Sequence, residues 1–207
     1  MSDYRAAWVP QREQMDWDEA VAVAVDWIEQ QCADQGGRRA LLITHTKDHL
    51  GQGALASFAS RHDWTTPRSQ HRVRMQRGRP VLAYVPDAKV LDVAVSYARG
   101  WSLCAVEGFA YPLAGWAQAA GAIDLLSGET AAPADQAMSQ ALDGLHFYGN
   151  NGWTRGFGAN QTLRKLATMR DVGQLNKQLI LGGMLARGHG HKAVARLGVL
   201  IDKVAAN

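Results

Sequence analysis

Within six residues, Thr44-His45-Thr46-Lys47-Asp48-His49, the chain gathers two imidazoles, an ammonium, a carboxylate and two hydroxyls. Such a set can bind a phosphate, pass protons in acid–base catalysis, or hold a metal ion through two imidazoles and a carboxylate. His45 and His49 stand four apart, a spacing that shares one face on a helix but not across a strand-to-loop junction, so no metal site is assigned. Asp87 and Glu107 each follow a short apolar run, Val81–Val85 and Leu103–Val106. Asp87 comes directly after Pro86 and fits equally well as the N-cap of a helix, and Asp48 could cap the helix after it.

A second chemistry is suggested by cationic residues. Between Arg61 and Arg79 lie six arginines, Arg68, Arg72, Arg74 and Arg77 among them, with one acid, Asp63, and with His62, Trp64 and His71 interleaved. Arginines grip phosphates and flat rings stack on bases, although charged runs are more often a solvated edge. Residues 131–207 hold nine Lys and Arg against four Asp and Glu, whereas residues 1–130 hold 13 against 15, so the C-terminal third is the basic part. Arg155, Arg164 and Lys165 are its foremost anion-binding candidates. Asp171-Val172-Gly173 resembles the short turn of a helix-turn-helix.

Glycine-rich segments offer less. Gly51-Gln52-Gly53-Ala54-Leu55-Ala56 matches the letters of a dinucleotide-binding turn. Yet Thr46 to Leu50 separate it from the preceding strand, and no acid ends a second strand to take ribose hydroxyls, so it reads as a flexible turn. The chain has neither a phosphate-loop sequence ending in Gly-Lys-Ser/Thr nor a Gly-x-Ser-x-Gly nucleophile elbow. Gly149 to Gly158 contains Trp153, Arg155 and Phe157 and could act as a lid; a tight connection with both aromatics buried is the favoured expectation.

The elements that must position these residues alternate. An amphipathic helix over Asp16–Ala33, with Asp16 and Glu19 set as a capping box, ends at Gly36-Gly37. Continuous apolar runs at Ala40–Thr44, Val81–Val85, Leu103–Val106 and Ala122–Leu126 suit strands buried on both faces. Helices over Ala54–Arg61, Asp87–Arg99 and from Pro112 onward separate them. A polar edge strand over Thr65–Met75 is also considered. This order predicts an α/β fold, a doubly wound, largely parallel, Rossmann-like sheet of four or five strands with a C-terminal helical region. Three divisions follow: 1–37, a helix packing on the sheet; 38–130, the sheet core; and 131–207, basic helices over Asp135–Leu145, Asn160–Arg170, Gln174–Arg187 and His191–Val204.

In open parallel sheets ligands sit beyond the carboxyl ends of the strands. That rule makes Thr44, His45, Lys47, Asp48, His49, Asp87 and Glu107 the candidate rim. The function expected first is binding of a phosphorylated small molecule or nucleotide there. The alternatives are a nucleic-acid-associated protein using residues 61–79 and the C-terminal helices, and a protein–protein module or homo-oligomer without catalysis. No specific cofactor is indicated. Cys32 and Cys104 read as buried, reduced filler. No apolar run reaches membrane-span length and no apolar leader follows Met1-Ser2-Asp3-Tyr4-Arg5, so a cytoplasmic, non-membrane protein is expected.

Overall fold

The computed structural model describes residues 3–51, 53–69 and 78–206. Its centre is a six-stranded, all-parallel sheet: β1 (Arg5–Val9), β2 (Leu41–Ile43), β3 (Asp63–Thr65), β4 (Val81–Tyr84), β5 (Ser102–Val106) and β6 (Ile123–Asp124), in the order β3-β2-β4-β5-β1-β6. The α/β expectation is borne out, and the apolar runs account for β2, β4, β5 and β6. β1 is an addition. It lies inside the sheet, paired Arg5 to Ser102 through Val9 to Val106 on one side and with β6 on the other. The edge strand is β3, which ends at Thr65, where the expected polar strand would begin; Pro67–Ser69 form a turn instead, closed by the Ser69 amide on the Thr66 carbonyl at 3.0 Å, and residues 70–77 lie outside the described residues.

The two faces of the sheet are covered unequally. Ala7, Val9, Leu42, Leu82, Cys104 and Val106 face α1 (Trp17–Asp34) and α2 (Gly53–Arg61). Alternate residues, among them Ala6, Leu41, Ile43, Ala83, Leu103 and Ala105, face α3 (Ala88–Ala98) and α4 (Ala114–Ala120). The period-two alternation of a strand thus feeds two separate apolar cores, which is why these runs read as continuously hydrophobic. Asp16 is the N-cap of α1 and accepts the Ala20 amide at its carbonyl (3.0 Å), but its side chain makes no cap bond, so the expected capping box does not form; Asp18 and Glu19 still place negative charge on the first turn.

The C-terminal helices α5 (Gln136–Tyr148), α6 (Phe157–Asp171), α7 (Lys177–Ala186) and α8 (His191–Ala205) build a further layer. α7 packs on α3 and α4 and α8 on α3, with α7 at the middle also touching α5 and α8, while α6 packs on α5 and α8. α7 crosses α4 at backbone distance: a Cβ at Gly115 would strike the Gln178 carbonyl, and one at Gly182 would strike the Trp116 amide. With Ile180 and the whole Gly182–Ala186 run buried, α7 cannot enter a DNA groove, and the helix-turn-helix likeness of Asp171-Val172-Gly173 has no recognition helix behind it. Trp116 also anchors the sheet, donating its Nε1–H to Tyr4 Oη at 3.0 Å just ahead of β1. Burial pushes the Tyr4 phenol far above its ordinary range, so it stays protonated. Among the described residues no helix is long and apolar enough to cross a membrane.

Candidate functional site

Strand order fixes where crevices can open. A gap forms where neighbouring strands send their following helices to opposite faces, because the two exit loops then part. β1 leads to α1 on one face and β5 leads to α4 on the other, so one crevice lies between their ends. β2 leads to α2 and β4 to α3, again on opposite faces, which places a second crevice two strands away.

The expected rim residues divide between these crevices. At β2/β4, Asp87 accepts hydrogen bonds at Oδ1 from the Lys89 and Val90 amides (2.9 and 2.8 Å), the N-cap role the sequence suggested. Its other oxygen lies 3.8 Å from His45 Nδ1. Lys47–Leu50 is a single 3-10 turn, and this brings the His45 and His49 rings to 6.5 Å, edge to face, closer than their strand-to-loop setting implied. Thr44 is buried and spends its hydroxyl on the Thr46 carbonyl at 2.7 Å, shaping the turn. Lys47 leans away over the Trp64 ring at 5.5 Å, and Asp48 stands exposed. His45 and Asp87 are thus a neighbouring imidazole and carboxylate at a strand end, able to exchange a proton with a ligand. Tyr111 looks onto the same place; burial, then the Asp87 charge, pushes its phenol up to about 12.

Val85, which closes β4, sits at φ 45°, a left-handed conformation that a β-branched residue adopts only when its surroundings impose it. It bonds through its amide to Val106 O at 3.0 Å, and its side chain occupies the space a Cβ on Gly108 would need. The strain turns the chain sharply out of the sheet between the two crevices.

At β1/β5, Glu107 is a clamp. Its Oε2 accepts from the Gln11 amide at 3.0 Å and its Oε1 from the Leu113 amide, tying the exit loop of β1 to the start of α4. Beside it opens a cleft of about 130 Å³ lined by Pro10, Arg12, Met15, Trp17, Glu107 and Phe109. An apolar cavity of about 150 Å³ holds one benzene ring, so this cleft matches a single ring rather than a whole nucleotide. Phe109 is 71% and Trp17 36% exposed. Trp17 stands edge-on to Phe109 at 5.8 Å and to Tyr84 at 6.3 Å, and Tyr84 to His49 at 5.5 Å, so a line of rings connects both crevices.

The helix starts along this rim are already served by carboxylates of the chain: Asp18 and Glu19 on α1, Asp87 on α3 and Glu107 at α4. At α2, Gly53 takes φ 72° where a Cβ would collide with the Asp18 carboxylate. Gly53 therefore admits an acid to a helix N-terminus where a dinucleotide turn would admit a pyrophosphate; Gln52 lies outside the described residues. Among the described residues no group of three His, Cys, Asp or Glu is placed to hold a metal ion.

The arginine stretch is partly structural. Arg79, 9% exposed, bonds to the carbonyls of Arg39 and Ala40 and to Asp63 at 2.6 Å, and Arg61 pairs with Glu29 at 2.7 Å. His62 accepts the Ala40 amide at Nδ1 (3.2 Å), and burial pushes its pKa down. Arg68 is exposed; Arg72, Arg74, His71 and Arg77 lie outside the described residues.

Trp17 was legible only as part of a helix stripe, and Phe109, Tyr84 and the Pro10–Arg12 loop carried no mark of function. One signal was available. Ala7-Trp8-Val9-Pro10 and Ala83-Tyr84-Val85-Pro86 share the pattern Ala-aromatic-Val-Pro, and each forms the exit of a strand that borders a crevice. Comparison with protein-family models, curated proteins and solved structures found no match to this chain.

Proposed function

We propose that the chain binds a small molecule through one flat ring seated in the cleft that Trp17 and Phe109 line together with Pro10, Arg12 and Met15, with the remainder lying along the rim toward Tyr84, His49 and His45. The observation that carries this is the continuous line of partly exposed rings spanning both crevices, beside a cleft of one-ring size. A nucleoside or other ring-bearing metabolite fits that geometry. A phosphate on such a ligand would go to the imidazole side, near His45 and His49, because the helix starts already carry the chain's own carboxylates.

The test is a thermal-shift panel of nucleosides, nucleoside monophosphates, single-ring aromatic acids and inorganic phosphate. A true ligand at about 100-fold over its Kd should raise the Tm by about 5–10 °C for a chain of this size. Trp17→Ala and Phe109→Ala should each abolish the shift, while His45→Gln should weaken only phosphorylated members. A panel without any shift, or a shift untouched by both ring variants, would sink the proposal.

A further inference from the structure

The junction of α5 and α6, away from the strand ends, carries a second set of rings. Phe147 and Phe157 are 67% and 72% exposed. Tyr148 stands between them, edge-on to both, with centroids 5.4 and 6.2 Å away. Open aromatic clusters of this kind leave apolar surface in water and mark places where something else binds.

The charge around them is one-sided. Arg155 and Arg164 are exposed and Lys165 half-buried, and none of the three is paired with a described acid. The acids of the same two helices are spoken for: Asp135 caps α5, Asp143 holds Arg187 at 2.9 Å, and Asp171 holds Arg170 at 2.8 Å. A groove of about 370 Å³ runs on from Tyr148 between the helices, past Gln140, Gln161, Arg164, Lys165 and Thr168. Lys165 lies along the groove because Gly144 leaves room for its stem; a Cβ there would collide with it.

We infer that this face binds single-stranded nucleic acid. Unpaired cations draw the backbone into the groove, and the outward rings offer stacking platforms for unpaired bases, which a duplex keeps hidden. Recognition is sequence-tolerant, since stacking needs only a base's flat face. A protein partner would call for aliphatic residues around the rings, and Val172 is the one large aliphatic side chain exposed along this groove among the described residues. None of these residues lines the rim, so the inference stands or falls separately from the small-molecule reading.

Fluorescence anisotropy of the full chain with labelled oligo(dT) and oligo(rU) of about 15 nucleotides, and with a duplex of the same length, tests it. Single strands should bind at least about tenfold more tightly than duplex, with a log Kd against log salt slope near 2 from three cations at about 0.7 each. The double variant Phe147→Ala/Phe157→Ala should weaken binding about tenfold or more without changing that slope. Arg164→Gln/Lys165→Gln should flatten the slope while leaving the rings in place. No anisotropy change at about 50 mM salt, equal binding of duplex, or indifference to both double variants would overturn the inference. So would co-sedimentation with phosphatidylserine vesicles by a protein that leaves the oligonucleotides free.

Discussion

The strand-end rim and the α5–α6 face both hold aromatic rings out to water, yet the charges beside them do opposite work. At the rim the acids are structural: Asp87 caps α3, Glu107 clamps two loops, and Asp18 sits on the start of α2. On the α5–α6 face the acids are bound to other partners and the cations Arg155, Arg164 and Lys165 are left over. A charged side chain near an exposed ring says something about a ligand only after the charges that the backbone consumes have been subtracted. That subtraction is the ground for proposing a flat, weakly charged guest at the rim and an anionic one at the far face.

The contrast can be broken by mutation. Glu107→Ala should cost the most, about 2–4 kcal/mol, because two amides lose a charged acceptor in a partly buried place; chemical denaturation measures it. A loss below about 0.5 kcal/mol would mean that Glu107 is free for a ligand after all.

Next comes a pH effect on the support of the far face. His189 packs on Trp153 at 4.5 Å and lies 2.8 Å from His146, and burial, His146 and Arg187 together push its pKa down to about 4. Unfolded, the imidazole would titrate near about 6.5, so between those values the unfolded chain holds the extra proton. Stability therefore rises with pH through that window and is lost on acidification, by about 1–2 kcal/mol once solvent screening is allowed for. His189→Gln should flatten the stability-versus-pH curve between about pH 6.5 and 4. An unchanged slope would refute the assignment.

Asp87→Ala removes a helix cap and should cost about 1 kcal/mol. Smallest of all, Arg164→Gln or Phe157→Ala should change stability by no more than about 0.5 kcal/mol, as expected of side chains that the fold does not use. If either destabilised the chain as much as Asp87→Ala, the far face would have to be counted as structural too.

Much of the fold could be read from local pattern. Val81–Tyr84 and Ser102–Val106 announce themselves because both faces of each strand are buried, and Asp87 announces its helix through Pro86-Asp87. β1 escapes a local reading because Arg5-Ala6-Ala7-Trp8-Val9 is short, with two alanines among its five residues and an exposed arginine at its start; its place comes from pairing with β5, which no local window contains. The site follows the same division. His45 and Asp87 lie together at strand ends, where the strand-end rule looks for a ligand, since each follows a strand visible in the sequence. Trp17 and Phe109 come together only because β1 lies beside β5, so strand order, not residue type, creates their cleft. Trp153 is buried as expected, whereas Phe157, expected to be buried with it, opens α6 and points outside. The loop's contacts run to α8 and His189, with Arg196 Nε on the Gly152 carbonyl at 2.7 Å, rather than across the strand ends.

The position of β1 also governs timing. Its hydrogen-bonding partner at Ser102 emerges nearly a hundred residues after Arg5, and β6 later still. At about 5–20 residues per second, a ribosome leaves this strand without a neighbour for about 5–20 s. Contacts so distant along the chain slow folding, and an unpaired strand edge invites aggregation meanwhile. The cleft between β1 and β5 is thus among the last features of the sheet to come into being, so the proposed ring-bearing guest would stabilise the chain only after its middle has already closed.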